Sequence, residues 1–171
     1  MKPAAERVQA ALAALGLDRQ IIELGVDART SAQAAAAVGI GVGRIAKSLV
    51  FTAGGNPILV IASGENRVDE SKLAVLAGGR IQRADADTVR AATGYAIGGV
   101  PPIAHQSAMP IFVDRDLLRY ELIYAAGGVP ECVFPLTPDE LMRITAGTVA
   151  DVKVDRRGES GASGAPSAGA S

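Results

Sequence analysis

The sequence is poor in the residues that build metal centres, disulfides and aromatic cores. Its 171 residues include one cysteine, one histidine, no tryptophan, three phenylalanines and three tyrosines. A single cysteine excludes an internal disulfide, and with one histidine a zinc site would need carboxylates for most of its ligands. We therefore expect no metal and no other cofactor. Apolar residues make up 49% of the chain, so the core must be built mainly from Ala, Val, Leu and Ile.

The chain also lacks a strong net charge and a long apolar run. The formal net charge is −1, so no broad basic field predicts binding to DNA or to a long duplex. Recognition of one nucleic-acid end over a few phosphates stays open. No apolar run approaches the length needed to cross a bilayer, and the amphipathic N-terminal segment is unlike a signal peptide. We expect a cytoplasmic protein without a membrane partner.

Five segments carry the marks of short helices. Each begins with a capping residue, an acidic residue or proline, and several end at glycine. The predicted helices are residues 3–16, "TSAQAAAAVG" capped at Thr30 or Ser31, "VDESKLAVLAGG" capped at Asp69, "DADTVRAATG", and "TPDELMRITAG" capped at Thr137.

The remaining apolar runs are shorter and predict strands. Leu49–Phe51 and Ile58–Ala62 flank "GGNP", as a β-hairpin requires. The other candidates are "QIIELG", "RIQRA", "MPIFVDRDL", "YELIYAAGG", "ECVFPL" and "VADVKV". Strands outnumber helices, and hairpin neighbours alternate with helical crossovers. This pattern predicts an α+β fold, with a mixed, strongly curved, barrel-like β-sheet flanked by helices.

The end of the chain has a different composition. Residues 155–171 are mostly Gly, Ala and Ser and show no apolar periodicity. Such a segment has too little apolar surface to offset the entropy of ordering it. We expect a single domain over residues 1–154 and a disordered tail over residues 155–171.

The segment "YAIGGVPPIAH", residues 95–105, combines two glycines, two consecutive prolines and the only histidine. A rigid surface turn would explain it, since glycine permits positive φ and proline fixes the chain direction. Alternatively, Gly98 and Gly99 leave backbone N–H groups accessible, and the prolines hold them still as donors for a carbonyl oxygen or an oxyanion. His105 either lines such a site or hydrogen-bonds the loop from beneath.

Lys47 lies where "GRIA" runs into the apolar strand "SLVF". A lysine at the end of a strand commonly extends its charged group to water, and this explanation needs no function. The alternative is a cation at the mouth of a pocket, where it stabilises negative charge on a carbonyl or carboxylate.

Five segments occur in one order and together resemble the YbaK/EbsC family. They are "ARTSAQAAAAVGIGVGRIAKSLVF", "LVIASGENRVDESKLA", "ATGYAIGGVPPIAH", "PIFVDRDLLRYELIYAAGG" and "VFPLTPDELMRITAG". The family comprises aminoacyl-tRNA editing domains related to the insertion domain of bacterial prolyl-tRNA synthetases. The resemblance extends from residue 20 to residue 153, which is nearly the whole predicted domain.

The resemblance implies a free-standing deacylase, which hydrolyses the ester between a wrong, small amino acid and the terminal ribose of a tRNA. The family's functional lysine starts a "KSLVF"-type strand and is here Lys47. Its GxxxP-type loop corresponds to Gly98, Gly99, Val100, Pro101 and Pro102. On this basis Lys47 and Gly99 are the predicted catalytic residues, and the other loop residues bind substrate.

Thr30 and His105 complete the predicted substrate-binding set. The expected partner is the 3′ acceptor end of a mischarged tRNA, with an aminoacyl-tRNA synthetase as a further candidate. The residues offer no convincing protein base. A ribose hydroxyl of the substrate would then activate the water, as is thought for relatives.

The chain departs from the family in one place. A "PPFG"-like segment is expected after the glycines, whereas this sequence has "PPIA", with Ile103 and Ala104. The change leaves open which amino acid is removed. It also leaves an alternative function, a catalytically silent module that binds a tRNA 3′ end, a synthetase or a small metabolite.

Overall fold

The computed structural model describes residues 1–25 and 28–155 of the chain. Its helices are α1 (Pro3–Ala14), α2 (Ser31–Val38), α3 (Glu70–Ala77), α4 (Ala86–Thr93) and α5 (Pro138–Thr145). Its strands are β1 (Ile22–Glu23), β2 (Ile45–Ala53), β3 (Asn56–Ser63), β4 (Ile81–Arg83), β5 (Ile111–Asp114), β6 (Ile123–Ala126), β7 (Cys132–Leu136) and β8 (Thr148–Ala150). The predicted tail lies outside the described residues except for Asp155, whose carboxylate is 2.9 Å from Lys72 Nζ.

The helices begin at the capping residues that the sequence indicates. The Thr30 and Thr137 side chains accept hydrogen bonds from the third residue of α2 and α5, and both helices have complete capping boxes. Asp69 accepts from two amides at the start of α3. Helix α2 ends at Gly39, which has φ +86°, a left-handed conformation that glycine adopts without steric cost. Local hydrogen bonding therefore defines these helix boundaries.

The sheet is mixed, as predicted. Its strand order is β1-β7-β6-β2-β3-β5-β8, and β4 pairs separately with β2. The β2–β6, β3–β5 and β5–β8 pairs are parallel, whereas the other pairs are antiparallel. An α+β fold with a mixed sheet flanked by helices is confirmed.

Apolar side chains cover the sheet at β2 on both faces. Ala46 and Val50 belong to a cluster that includes residues of α1, α4 and α5. Phe51 belongs to a second cluster, which includes Leu73 of α3, and Leu49 packs against it. Because side chains alternate between the faces of a strand, neighbouring residues of β2 pack into different clusters, one on each face of the sheet.

Several predicted strands are shorter than the sequence suggests, since "QIIELG" forms a strand only at Ile22–Glu23 and "VADVKV" only up to Ala150. In "MPIFVDRDL" only Ile111–Asp114 is a strand, and Arg115–Arg119 form a 3₁₀ turn. The buried Asp114 carboxylate accepts a hydrogen bond from the Asp116 amide at 3.0 Å and another from the Ser63 amide at 3.0 Å. The side chain of Asp114 therefore caps the turn and ends the strand.

Strand β2 is only partly covered along one edge. Strand β3 pairs with residues 46–53 along the first edge. Along the second edge, β6 pairs with Ile45 and Ala46, and β4 pairs with residues 51–53. Among the described residues no strand pairs with residues 47–50 on this second edge, so the sheet has an opening there.

Candidate functional site

A cavity of about 350 Å³ lies at the opening in the sheet. Strand β2 contributes residues 45–50 to its wall. The rest comes from β4, α4, β6, β7, the start of α2 with the segment before it, and the loops that contain Gly98 and Pro130. Most of the lining is small and apolar, including Ala34, Ala46, Ala84, Val89, Ala125 and Val133. No carboxylate or imidazole is among the described lining residues. The wall therefore suits a small aliphatic group. It contains the cationic residues Arg29, Lys47 and Arg83 but no carboxylate or imidazole that could act as a base.

Lys47 lines this cavity and is half-buried. It lies opposite Ala62 of β3, within the strand and not at its end. Burial first, and then the nearby Arg83 guanidinium, lowers the pKa of Lys47 below its ordinary value, while the Asp114 carboxylate acts in the opposite direction. The described residues offer its ammonium group no hydrogen bond or ion pair. A cation held here at an energetic cost is well placed to meet negative charge on a ligand.

Ser48 presents unpaired backbone groups to the same opening. Ile45 O accepts from the Gly64 amide on the β3 side, whereas Val50 O accepts from the Ala84 amide on the β4 side. Because backbone groups alternate along a strand, the N–H and C=O of Ser48 point to the uncovered edge. Its hydroxyl oxygen is buried and has no hydrogen-bond partner among the described residues. Ser48 therefore offers polar groups that a ligand could satisfy.

The glycine–proline loop forms the wall beside α2. Gly98 and Val100 line the cavity, and neither of their amides donates a hydrogen bond to another described residue. The Gly99 amide instead donates to Ala96 O at 3.0 Å, and Gly99 is buried away from the lining. The prediction that the amides of both Gly98 and Gly99 are free is corrected for Gly99, because in this conformation its amide is hydrogen-bonded within the loop.

Side chains from both ends of the loop hold it in place. Tyr95, which is 1% exposed, donates its hydroxyl to Ala104 O at 3.0 Å. His105 lies 2.7 Å from Pro101 O through Nε2, so Nε2 carries the proton, because a carbonyl can only accept. Burial lowers the pKa of His105, and the bond to Pro101 partly offsets this. His105 is therefore neutral and supports the loop from beneath through its hydrogen bond to Pro101.

The predicted site residues divide into two groups. Lys47, Thr30, Gly98 and Val100 line the cavity together. Gly99, Pro101, Pro102 and His105 do not reach the lining and lie behind it in the loop. The structure therefore places all the predicted site residues at or directly behind the cavity, the first group in its wall and the second in the loop that supports this wall.

Sequence reasoning missed other residues of the wall. Arg83 and Tyr124 reach the cavity through the pairing of β4 and β6 with β2, and no local sequence pattern specifies that pairing. Ser48 was missed as well, because neighbouring residues of a strand point to opposite faces, and a site at Lys47 would by itself predict the Ser48 side chain on the other face.

Two classes of feature are absent from the described residues. Residues 1–25 and 28–155 contain no group of three or more His, Cys, Asp or Glu side chains placed to hold a metal ion. The helices in these ranges are all too short or too polar to cross a membrane.

The fold and the cavity define an α+β domain that presents a lysine and unpaired amides to a small ligand. Residues 26–144 match the family described as "Aminoacyl-tRNA editing domain". The match spans more than half of the chain, and the protein therefore belongs to the aminoacyl-tRNA editing domain family.

Individual relatives agree with this assignment. YwhH of Bacillus subtilis is 31% identical over 125 residues, which cover 72% of this chain and 80% of the relative. The "putative Cys-tRNA(Pro)/Cys-tRNA(Cys) deacylase EbsC" of Enterococcus faecalis is 29% identical over 121 residues, or 69% of this chain and 73% of that protein. The crystal structure of a "putative trans-editing enzyme for prolyl tRNA synthetase" superposes with a TM-score of 0.87 at 44% identity, over 91% of this chain and 99% of that one.

Proposed function

We propose that the protein hydrolyses the ester of a mischarged aminoacyl-tRNA that carries a small amino acid. The observation that carries the proposal is Lys47, a half-buried ammonium group without a described counter-ion at a mostly aliphatic cavity. Family membership and the relatives named above support the same reaction class. The amino-acid side chain would occupy the aliphatic part of the cavity, with the ester at the opening of the sheet.

The polar groups around the opening suit the chemistry of an ester. Water attacks the carbonyl carbon, and the carbonyl oxygen becomes an oxyanion in the tetrahedral intermediate. Lys47 and the amides of Gly98 and Val100 are candidates to stabilise that charge, since preorganised donors contribute most where charge develops. Collapse breaks the bond to the ribose oxygen, which takes up a proton and leaves as tRNA.

The source of the base follows from the lining. Since no described lining residue is a carboxylate or an imidazole, the proton of the attacking water would pass to the free ribose hydroxyl of the substrate, which gives its own proton to the departing ribose oxygen. The ester of an aminoacyl-tRNA is already activated, so positioning and charge stabilisation supply most of what catalysis needs.

The "PPIA" departure leaves the wall of the cavity intact. Ile103 is 6% exposed and packs in the core, and neither Ile103 nor Ala104 lines the cavity. This observation favours an active deacylase over the catalytically silent binding module. A synthetase partner stays a prediction.

Replacement of Lys47 tests the proposal directly. We expect Lys47→Ala to reduce the deacylation of a mischarged tRNA by about 10²-fold or more, comparable to the loss of one oxyanion donor. Lys47→Arg should restore activity only in part, because a guanidinium is broader and places its charge differently. The assay measures ester loss over a panel of mischarged tRNAs at equal folded concentration.

Lys2→Ala is the matched control, because Lys2 is an exposed lysine that pairs with Glu131 away from the cavity. It should deacylate at the native rate. Equal rates for Lys47→Ala and native protein would remove Lys47 from the mechanism. Binding of charged tRNA without ester loss by the native protein would identify the silent module.

A further inference from the structure

A second cavity, of about 550 Å³, adjoins the first at β2. Lys47, Leu49 and Arg83 line both cavities. The second cavity continues along Leu49 and Phe51, which pack with α3 on one face of the sheet. The first cavity reaches Ala46 and Val50, which belong to the cluster on the opposite face. The two cavities therefore meet at Lys47, where the sheet is open.

The chemical character of the second cavity differs from that of the first. Its cations are Lys47, Arg67 and Arg83. Arg67 and Arg83 are both exposed, and within the described residues neither forms an ion pair or a side-chain hydrogen bond. The guanidinium group of Arg83 makes a cation–π contact with the Phe51 ring, and its central carbon lies 5.7 Å from the ring centroid. These side chains are available to an anion.

The carboxylates of this cavity are mostly engaged elsewhere. Glu65 accepts from Arg119 at 2.9 Å and from the Tyr120 hydroxyl at 3.1 Å. Asp69 accepts from the first amides of α3. Glu70, on the exposed first turn of α3, is the third carboxylate of the lining. The lining thus carries three carboxylates beside its three cations, but no carboxylate of the described residues forms an ion pair with Arg67 or Arg83.

We infer that this second cavity binds the phosphodiester backbone at the 3′ end of the tRNA, an inference that rests on the proposed function. If the ester lies at Lys47 and the amino acid fills the aliphatic cavity, the ribose and its 5′ phosphate extend to the other side. Arg67 and Arg83 lie on that side and provide guanidinium groups, which match phosphate geometry in two-point contacts. Only a few phosphates would be contacted, which agrees with the net charge of −1.

A binding experiment tests the site without relying on catalysis. The probe is a fluorescently labelled, uncharged RNA oligonucleotide ending in CCA, and its anisotropy is measured at several salt concentrations. We expect Arg67→Gln and Arg83→Gln each to weaken binding about tenfold. Each should also lower the slope of log Kd against log salt by about 0.7, the value for one phosphate contact on a single strand.

Arg90→Gln is the matched control, since Arg90 is an exposed arginine of α4 that lines neither cavity. It should bind the RNA as the native protein does. If Arg67→Gln and Arg83→Gln also bind like Arg90→Gln, the phosphate site is refuted. Competition with AMP identifies the source of the phosphate: displacement by AMP as efficient as by the unlabelled oligonucleotide would refute the assignment to a tRNA end.

Kinetics separate this inference from the proposed function. For Arg67→Gln we expect KM to rise about tenfold with mischarged tRNA and to change less than about twofold with the corresponding aminoacyl-adenosine, which has the ester but no phosphate. Equal effects on both substrates would refute the phosphate contact. If native protein hydrolyses neither substrate, the proposed function fails, and the salt-dependent RNA binding alone decides the phosphate site.

Discussion

Gly99 packs against the backbone of another loop so closely that a single methyl group should disturb both. A Cβ added at Gly99 would lie 2.8 Å from Gly128 O and 2.8 Å from Val129 Cα, well inside the 3.4 Å at which ordinary contact begins. Backbone atoms cannot rotate away as a side chain would. We expect Gly99→Ala to lower the free energy of unfolding by about 1–3 kcal/mol, as overpacking of a core does.

The same substitution should impair the proposed deacylation. Gly98 and Val100 flank Gly99 and line the cavity, and Pro130 lines it from the opposing loop. If the two loops separate, the unpaired amides move relative to Lys47, and small displacements of such groups are costly to catalysis. Urea denaturation measures the loss of stability, and ester loss measured well below the unfolding transition gives the loss of activity.

Gly41→Ala is the matched control for this prediction. Gly41 has φ −70°, and a Cβ added there meets no atom within 4 Å. Alanine at such a position restricts the unfolded chain and should raise stability by about 0.4–1 kcal/mol. If Gly99→Ala is as stable and as active as Gly41→Ala, the close approach of the two loops is not a real constraint.

Two further predictions concern stability. Because burial and Arg83 lower the pKa of Lys47 in the folded state, Lys47→Met should melt at a higher temperature than native protein at pH 7. That difference should shrink as pH rises from the folded pKa through the unfolded value near 10.5, because the native lysine becomes neutral in both states only above that value. A constant difference would contradict this reasoning. Ala104 and Ala146 have φ +65° and +52°, a conformation that costs a residue with a Cβ about 1–2 kcal/mol. Ala104→Gly and Ala146→Gly should each raise the urea midpoint, and a fall in both would show that glycine's added freedom in the unfolded chain outweighs the strain.

Much of the local structure follows from short stretches of sequence. Thr30, Asp69 and Thr137 each supply a side-chain oxygen to amides two or three residues ahead, and this interaction depends on nothing distant. The hairpin around "GGNP" is equally local, because its strands pair across a two-residue turn. Where a tertiary contact decides, the same reasoning fails: the strand predicted through residue 117 ends at Asp114, which also binds Ser63 and Asn66.

The candidate site shows the same division. The chemistry of Lys47 and of the glycine–proline loop could be inferred from residue types and from the family pattern. That inference placed both glycine amides at the ligand, whereas the structure leaves the amides of Gly98 and Val100 unpaired among the described residues and uses that of Gly99 within the loop. A turn hydrogen bond of this kind depends on backbone angles that the sequence "GGVPP" does not specify.

The sequence by itself determined the helix starts, the hairpin and the aliphatic composition of the core, and it supplied the prediction that Lys47 and the glycine–proline loop form the site. Only the tertiary structure decided that neither β4 nor β6 pairs with residues 47–50 of β2 on one edge. It also decided that Arg83 lies beside Lys47 and that two cavities meet there. The physical reason is range: capping and turns involve neighbours in the chain, whereas strand pairing brings together residues far apart in sequence, and its register depends on the whole core.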